Sequence, residues 1–396
     1  MNIKMLLGKD MPIERYPLSE CHSSGLVKVS DDTYIYYEQR GNPLGPTVVY
    51  NHGGPGGSSS PENSQWFDPE YYNIILYDQR GTGRSCPSIE SPEVDPKQFS
   101  KLTIDDMAAD LENLRDALNI SQWLVFGGSW GSTLSLYYAA KYPQRIKGVI
   151  VYGIFLNDPE EMSQYYDVKL IKERFPELGA EALDTLLSHA QSKGVTINPN
   201  SPQSLMDAYY QFCVNENDMK AQYLWTAFER FNDSPTKESL DDLHNPPEKI
   251  DPSDRTHAVF ECILFRFAYH GFNLLDKDLL MPFNEIPIRI VQGLSDTEAP
   301  PIFAQKLVKT LLEIKPNLWY RFISGKHAGD SSEEMTQTLL DCTNYFKKEV
   351  GALETEQQHS DVTALLMQGV FASKLENKPF SNSLHLNTDG YGPSGP

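Results

Sequence analysis

The run Gly127-Gly128-Ser129-Trp130-Gly131 holds a serine between two glycines, each two residues away. That is the spacing of a hydroxyl thrust out of a sharp turn that joins a strand to a helix. Side chains at the flanking positions would collide across such a turn, so glycine is a steric requirement there. The surroundings agree: the apolar run Trp123-Leu124-Val125-Phe126 precedes the serine, and residues 131–142 read as a helix. The N-terminal amides of that helix favour negative charge developing beside Ser129. The chemistry on offer is attack on an acyl carbon, and a serine hydroxyl does this only with a base beside it.

Of the nine histidines, His22, His189, His244, His359 and His385 lie in polar or helical surroundings and read as solvated. His257 and His270 fall in a long helical stretch where a core or surface role is sufficient. His327 differs, because it follows the strand-like run Trp319-Tyr320-Arg321-Phe322-Ile323 in a Gly-rich loop. Asp296 likewise follows Ile288-Arg289-Ile290-Val291 in the loop Gln292-Gly293-Leu294-Ser295-Asp296. The chain order Ser129, Asp296, His327 is that of the α/β hydrolases, with the last two residues on loops after late strands. In this reading His327 takes the Ser129 proton and returns it to the leaving group, while Asp296 fixes the imidazole tautomer. Asp330 is the competing acid, and its nearness to His327 in sequence favours a solvated role.

Acyl transfer also builds an oxyanion that needs two preset N–H donors. One is the amide of Trp130, the residue after the serine. The other belongs on a loop after an early strand, where His52-Gly53-Gly54-Pro55-Gly56 follows Thr47-Val48-Val49-Tyr50. Glycines there let the main chain approach a scissile carbonyl, and Gly54 is the favoured donor. The same loop lacks the Lys-Ser/Thr ending of a phosphate loop and the G-x-G-x-x-G of a dinucleotide site.

The elements that must hold these groups alternate. A hairpin around Asp31-Asp32 is followed by the short apolar runs 47–50, 74–77, 123–126 and 149–152, with helical periodicity over 103–118 and 131–142 between them. Strand, helix, strand, helix reads as a parallel sheet with helices on both faces. The rhythm stops near residue 156 and resumes at Ile286, with a strand at 288–291, a helix at 301–314, a strand at 319–323 and a helix at 333–349. The expectation is an α/β-hydrolase fold interrupted by a helical cap. The core occupies 1–155 and 286–350, the cap 156–285, and 351–396 form a polar tail with one short amphipathic stretch over Val362 to Phe371.

Composition narrows the partners. A formal net charge of −20, from 34 Lys+Arg against 54 Asp+Glu, offers no footprint for nucleic acid or an anionic membrane. The cysteines Cys21, Cys86, Cys213, Cys262 and Cys342 are scattered without C-x-x-C spacing, as reduced thiols are, and suggest neither disulfides nor a zinc site. No apolar run is long enough for a membrane span and no signal peptide is evident, so a cytoplasmic location is expected. No metal or cofactor is expected.

Three motifs together resemble the proline iminopeptidases, α/β-hydrolase serine exopeptidases that remove an N-terminal residue, preferentially proline. They are His52-Gly53-Gly54-Pro55-Gly56-Gly57, Asp78-Gln79-Arg80-Gly81-Thr82-Gly83-Arg84-Ser85 and Gly127-Gly128-Ser129-Trp130-Gly131-Ser132. The resemblance covers about residues 20–350 and implies the triad Ser129, Asp296 and His327, with small peptides bearing a free N-terminus as substrates. It also implies two cap glutamates that hold the substrate amine. Trp225-Thr226-Ala227-Phe228-Glu229 matches the family's Trp-x-x-x-Glu, and Glu261 is the second match. Read from the residues alone, Glu229 is a solvated helix position. Glu261 shares an apolar helical stripe with Phe265 and Ala268, where a carboxylate is costly unless paired. Arg266 is the ordinary partner and a substrate ammonium the functional one. The insertion departs from the family more than the sheet does, and its aromatic residues would set the preference for proline. A serine esterase or amidase of the same fold is the alternative, and an inert hydrolase-fold binding protein a more distant one. Ser129 disfavours an epoxide hydrolase or dehalogenase, which would carry Asp there.

Overall fold

Eight strands form one sheet in the computed structural model, which describes residues 13–198 and 201–347. β1 (Cys21–Ser30) and β2 (Thr33–Gly41) are the hairpin expected around Asp31-Asp32. β3 (Thr47–Asn51), β4 (Asn73–Tyr77), β5 (Trp123–Ser129), β6 (Ile146–Ile154), β7 (Ile288–Gly293) and β8 (Trp319–Ile323) follow. Their order across the sheet is β1-β2-β4-β3-β5-β6-β7-β8. Pairing is antiparallel from β1 to β4 and parallel from β4 to β8.

The strands read as unbroken apolar runs because both sheet faces are covered. Val49, Ile75, Val125, Val149 and Ile290 point to one face, where they join α1 (Ile104–Ala117) and α2 (Trp130–Lys141). Their neighbours Val48, Ile74, Leu124, Ile150 and Val291 point to the other. The period of two makes register unforgiving: a slip of one residue in β5 would exchange Val125 for Phe126 and carry Ser129 off the sheet edge.

Between β6 and β7 the chain leaves the sheet and forms α3 (Pro159–Tyr166), α4 (Val168–Arg174), α5 (Gly179–Ser192), α6 (Pro202–Tyr210), α7 (Met219–Asp233), α8 (Lys237–His244) and α9 (Pro252–Leu264). A short α10 (Lys277–Leu280) packs back on α2 before β7 begins. α7 and α9 pack against each other, with Trp225, Phe228, Val259 and Phe260 all buried, and the Phe260 ring meets Phe99 with centroids 5.4 Å apart. One buried cation fastens this helical insert to the sheet layer. Arg255 of α9 donates to the carbonyls of Ile89, Ser91 and Val94, the last two at 2.8 Å. α11 (Pro301–Ile314) then joins the face of α1 and α2, and α12 (Glu333–Tyr345) covers the other through Met335 and Leu339.

Among the described residues no helix is long and apolar enough to cross a membrane. The tail and its amphipathic stretch over Val362 to Phe371 lie outside the described residues.

Candidate active site

Parallel strands end at a common edge, and the loops after β3, β5, β7 and β8 all leave from it. Ser129 closes β5 with φ 55° and ψ −133°, a conformation that costs a non-glycine residue on the order of 1–3 kcal/mol. Among the described residues the other three non-glycine residues with positive φ are all asparagines, which tolerate it better. The flanking glycines are sterically enforced. A Cβ on Gly127 would stand 2.3 Å from the Gly131 carbonyl oxygen, and one on Gly131 would stand 2.2 Å from that of Asn51. Ser129 is also the N-cap of α2, so Trp130 occupies the first helical position, whose amide has no partner within the helix.

His327 and Asp296 meet across 31 residues of chain. The imidazole Nδ1 lies 3.0 Å from both Asp296 carboxylate oxygens, so the ring proton sits on that side and Nε2 is left to accept another. Asp296 is held in turn. Its Oδ1 accepts from the amides of Glu298 and Ala299 at 3.0 and 2.8 Å, and its Oδ2 from the Gln292 carboxamide at 3.0 Å. Burial by itself lowers the affinity of His327 for its proton, but Asp296, then Glu298 and Asp233, outweigh burial and raise its pKa above the ordinary value. Asp330 takes no part, since its half-exposed carboxylate faces Arg15 at 3.6 Å.

A cavity of about 510 Å³ opens onto Gly53, Gly54, Ser129 and His327. Gly54 has φ +118°, which a residue with a side chain rarely adopts, and a Cβ there would lie 2.6 Å from the Gly56 nitrogen. The loop is anchored behind the cavity by Asp78, which accepts from the Ser59 amide at 2.9 Å and from Arg84 Nε at 2.7 Å.

Glu229 and Glu261 line the same cavity. Glu261 is 4% exposed, and its carboxylate accepts from the Trp225 indole at 2.9 Å. Glu229 accepts from the Tyr166 hydroxyl, and the Tyr166 ring stacks on Trp225 with centroids 4.9 Å apart. The two carboxyl groups are close enough for each to change the other's affinity for its proton. Burial above all raises both pKa values, and for Glu261 the neighbouring charge of Glu229 adds to it, so two full negative charges are disfavoured there. Arg266, the ordinary partner for Glu261 on sequence grounds, instead bonds Asp207 at 2.7 Å. Among the described residues no Lys or Arg forms an ion pair with either glutamate.

Sequence reasoning missed Tyr166, Gln292, Asp233 and Glu298. It named Trp225 only as the anchor of a motif, although the indole is what receives Glu261. His257, read there as a core or surface residue, also lines the cavity, with its Nδ1 2.8 Å from the Ser253 carbonyl oxygen. Phe155, Met162, Tyr165 and Phe265 complete an apolar wall.

A strand-edge serine at a strained turn and an Asp-fixed histidine on the same sheet edge are the equipment of an α/β hydrolase. Residues 46–329 match the family model for the alpha/beta hydrolase fold. The chain is 35% identical over 327 residues to the proline iminopeptidase of Arabidopsis thaliana, covering 81% of this chain and 78% of that one. A probable proline iminopeptidase of Leptolyngbya boryana is 34% identical over 84% of this chain and 96% of its own. For the proline iminopeptidase of Neisseria gonorrhoeae the figures are 32%, 75% and 89%. The chain belongs to the proline iminopeptidase family.

Proposed function

We propose that this protein is a serine exopeptidase that releases an N-terminal residue, preferentially proline, from small peptides through an acyl-enzyme. His327 Nε2 accepts the proton of Ser129 as its Oγ bonds the carbonyl carbon of the first residue. The oxyanion is held by the amides of Gly54 and Trp130. His327 then delivers that proton to the nitrogen of the second residue, the C–N bond breaks, and the shortened peptide leaves. Water, deprotonated by the same imidazole, attacks the ester, and the free amino acid departs with Ser129 restored. Asp296 keeps the ring in the tautomer both steps need.

The observation that carries this reading over an esterase is the pairing of half-buried Glu229 with buried Glu261 in the cavity that Ser129 and His327 share. A pocket for neutral esters gains nothing from two enclosed carboxyl groups with no cation between them. A protonated chain end supplies that cation, and the apolar wall of Phe155, Met162 and Phe265 suits a pyrrolidine ring. The substrates of the named relatives support the same assignment. A panel of aminoacyl chromogenic amides tests it. Free prolyl amide should be cleaved fastest and N-acetylprolyl amide scarcely at all, while equal rates on both would refute the amine-reading role.

A further inference from the structure

Gln79 lies in neither the cavity wall nor the triad, yet its side chain touches both loops that carry the oxyanion donors. Its Nε2 donates to the His52 carbonyl at 2.9 Å, two residues before Gly54, and its Oε1 accepts from the Trp130 indole at 3.2 Å. Its own amide donates to His52 Nε2 at 2.9 Å, which places the ring proton on Nδ1, 3.0 Å from the Gly53 carbonyl oxygen. Gln79, His52 and Trp130 are all nearly fully buried. The sheet does not fix the distance between the two donors by itself. β3 and β5 are paired only as far as Asn51 and Gly127; β5 runs on beside β6 to Ser129, while the loop after β3 leaves the ladder. The Gln79 carboxamide spans them, and its backbone is anchored just after β4, where the Thr82 hydroxyl donates to the Gln79 carbonyl at 2.9 Å.

We propose that Gln79 is a positioning residue of the oxyanion hole, holding the Gly54 and Trp130 amides at the separation that a tetrahedral oxyanion requires. The inference rests on the serine chemistry proposed above. A donor displaced by a fraction of an ångström acts on the transition state and leaves ground-state binding of the amine untouched.

Gln79→Met keeps length and volume while removing both bonds. Its kcat on prolyl chromogenic amide should fall about 10- to 100-fold, less than or near the cost of deleting one oxyanion donor outright, with KM within about threefold. A boronic acid analogue of proline, which forms a tetrahedral anion on Ser129, should lose affinity by a similar factor. Pyrrolidine, which offers ring and ammonium but no carbonyl, should inhibit as before. Trp130→Phe removes one of the bonds with little change of shape, and serves if Gln79→Met does not fold. It should lower kcat and boronate affinity severalfold with pyrrolidine unaffected. The double variant should cost little more than the worse single one. The positioning role is overturned by unchanged kcat and boronate affinity in a folded variant, by pyrrolidine losing as much as the boronate, or by losses that multiply in full. Ser129→Ala should abolish boronate binding. If it does not, the reading of the site falls and the role of Gln79 with it, whereas an inert Ser129→Ala beside fully active Gln79 variants overturns the role of Gln79 alone.

Discussion

Replacing Glu261 by Gln should weaken the enzyme and strengthen the fold at once. The substitution preserves shape, and its carbonyl oxygen can still accept from the Trp225 indole that now stands 2.9 Å from the carboxylate. What disappears is the second negative charge, which Glu261 takes up once the substrate ammonium stands beside it. A charge-assisted hydrogen bond contributes about 1.5–3 kcal/mol, so kcat/KM on prolyl amide should fall by roughly ten- to a hundredfold or more. An activated ester without an ammonium should lose no more than about threefold, because its hydrolysis needs only the serine machinery. The stability effect follows from the raised pKa of the buried acid. A carboxyl that holds its proton more tightly folded than unfolded favours folding at low pH and loses that contribution as pH climbs past its unfolded value. At neutral pH the wild-type pair therefore costs the fold stability, and Gln carries no such cost. For a chain this long each kcal/mol regained raises Tm by about 1–2 °C. Calorimetry at pH 7 and pH 5 alongside both substrates checks the argument: Tm should rise at pH 7 and change less at pH 5. Equal kinetic losses on amide and ester, or a lower Tm at pH 7, would refute it.

Three further outcomes follow from the site. Ser129→Ala should reduce turnover by several orders of magnitude with the melting curve intact, and near-normal hydrolysis by the purified variant would remove the serine from the mechanism. Gln292→Leu deprives Asp296 of a donor and leaves the Ile154 amide, now 2.8 Å from Gln292 Oε1, without its acceptor. It should lower kcat about tenfold and cost on the order of 1–3 kcal/mol in denaturant melts, one buried group left unpaired accounting for that much. Glu298 Oε2 lies 3.8 Å from His327 Nε2 and helps keep the ring protonated. Because catalysis needs the neutral ring, Glu298→Gln should move the acid limb of the kcat/KM profile to lower pH, and a limb that stays put or moves up would contradict that role.

The sheet was readable because each buried strand is an apolar run with a period of two, and the nucleophile turn because glycines two residues away have a steric cause. Chain order and the nearness of Asp330 to His327 favoured Asp296 over Asp330 in the sequence; the structure adds the contact itself, with His327 Nδ1 3.0 Å from both Asp296 oxygens and Asp330 facing Arg15. The partner of Glu261 was illegible. Helical spacing shows which residues share a stripe of α9, but not that α7 packs across it with the Trp225 indole at carboxylate height. Tyr166, 63 residues from the glutamate it bonds, leaves no local trace. Gln79 and Gln292 are uncharged and look like any polar residue in a loop, so their work is visible only once the loops around them are placed.

The helical insert that Arg255 straps to the sheet layer also determines what the enzyme must leave alone. Ser129 is reached through a recess of about 510 Å³, which is the scale of space that engulfs a single small ligand. A loop on the surface of a folded protein enters as two strands of chain and brings its whole domain behind it, whereas a free chain end enters alone. Every cleavage by another peptidase creates one more such end, so a recess of this size suits chain ends that other cleavages supply.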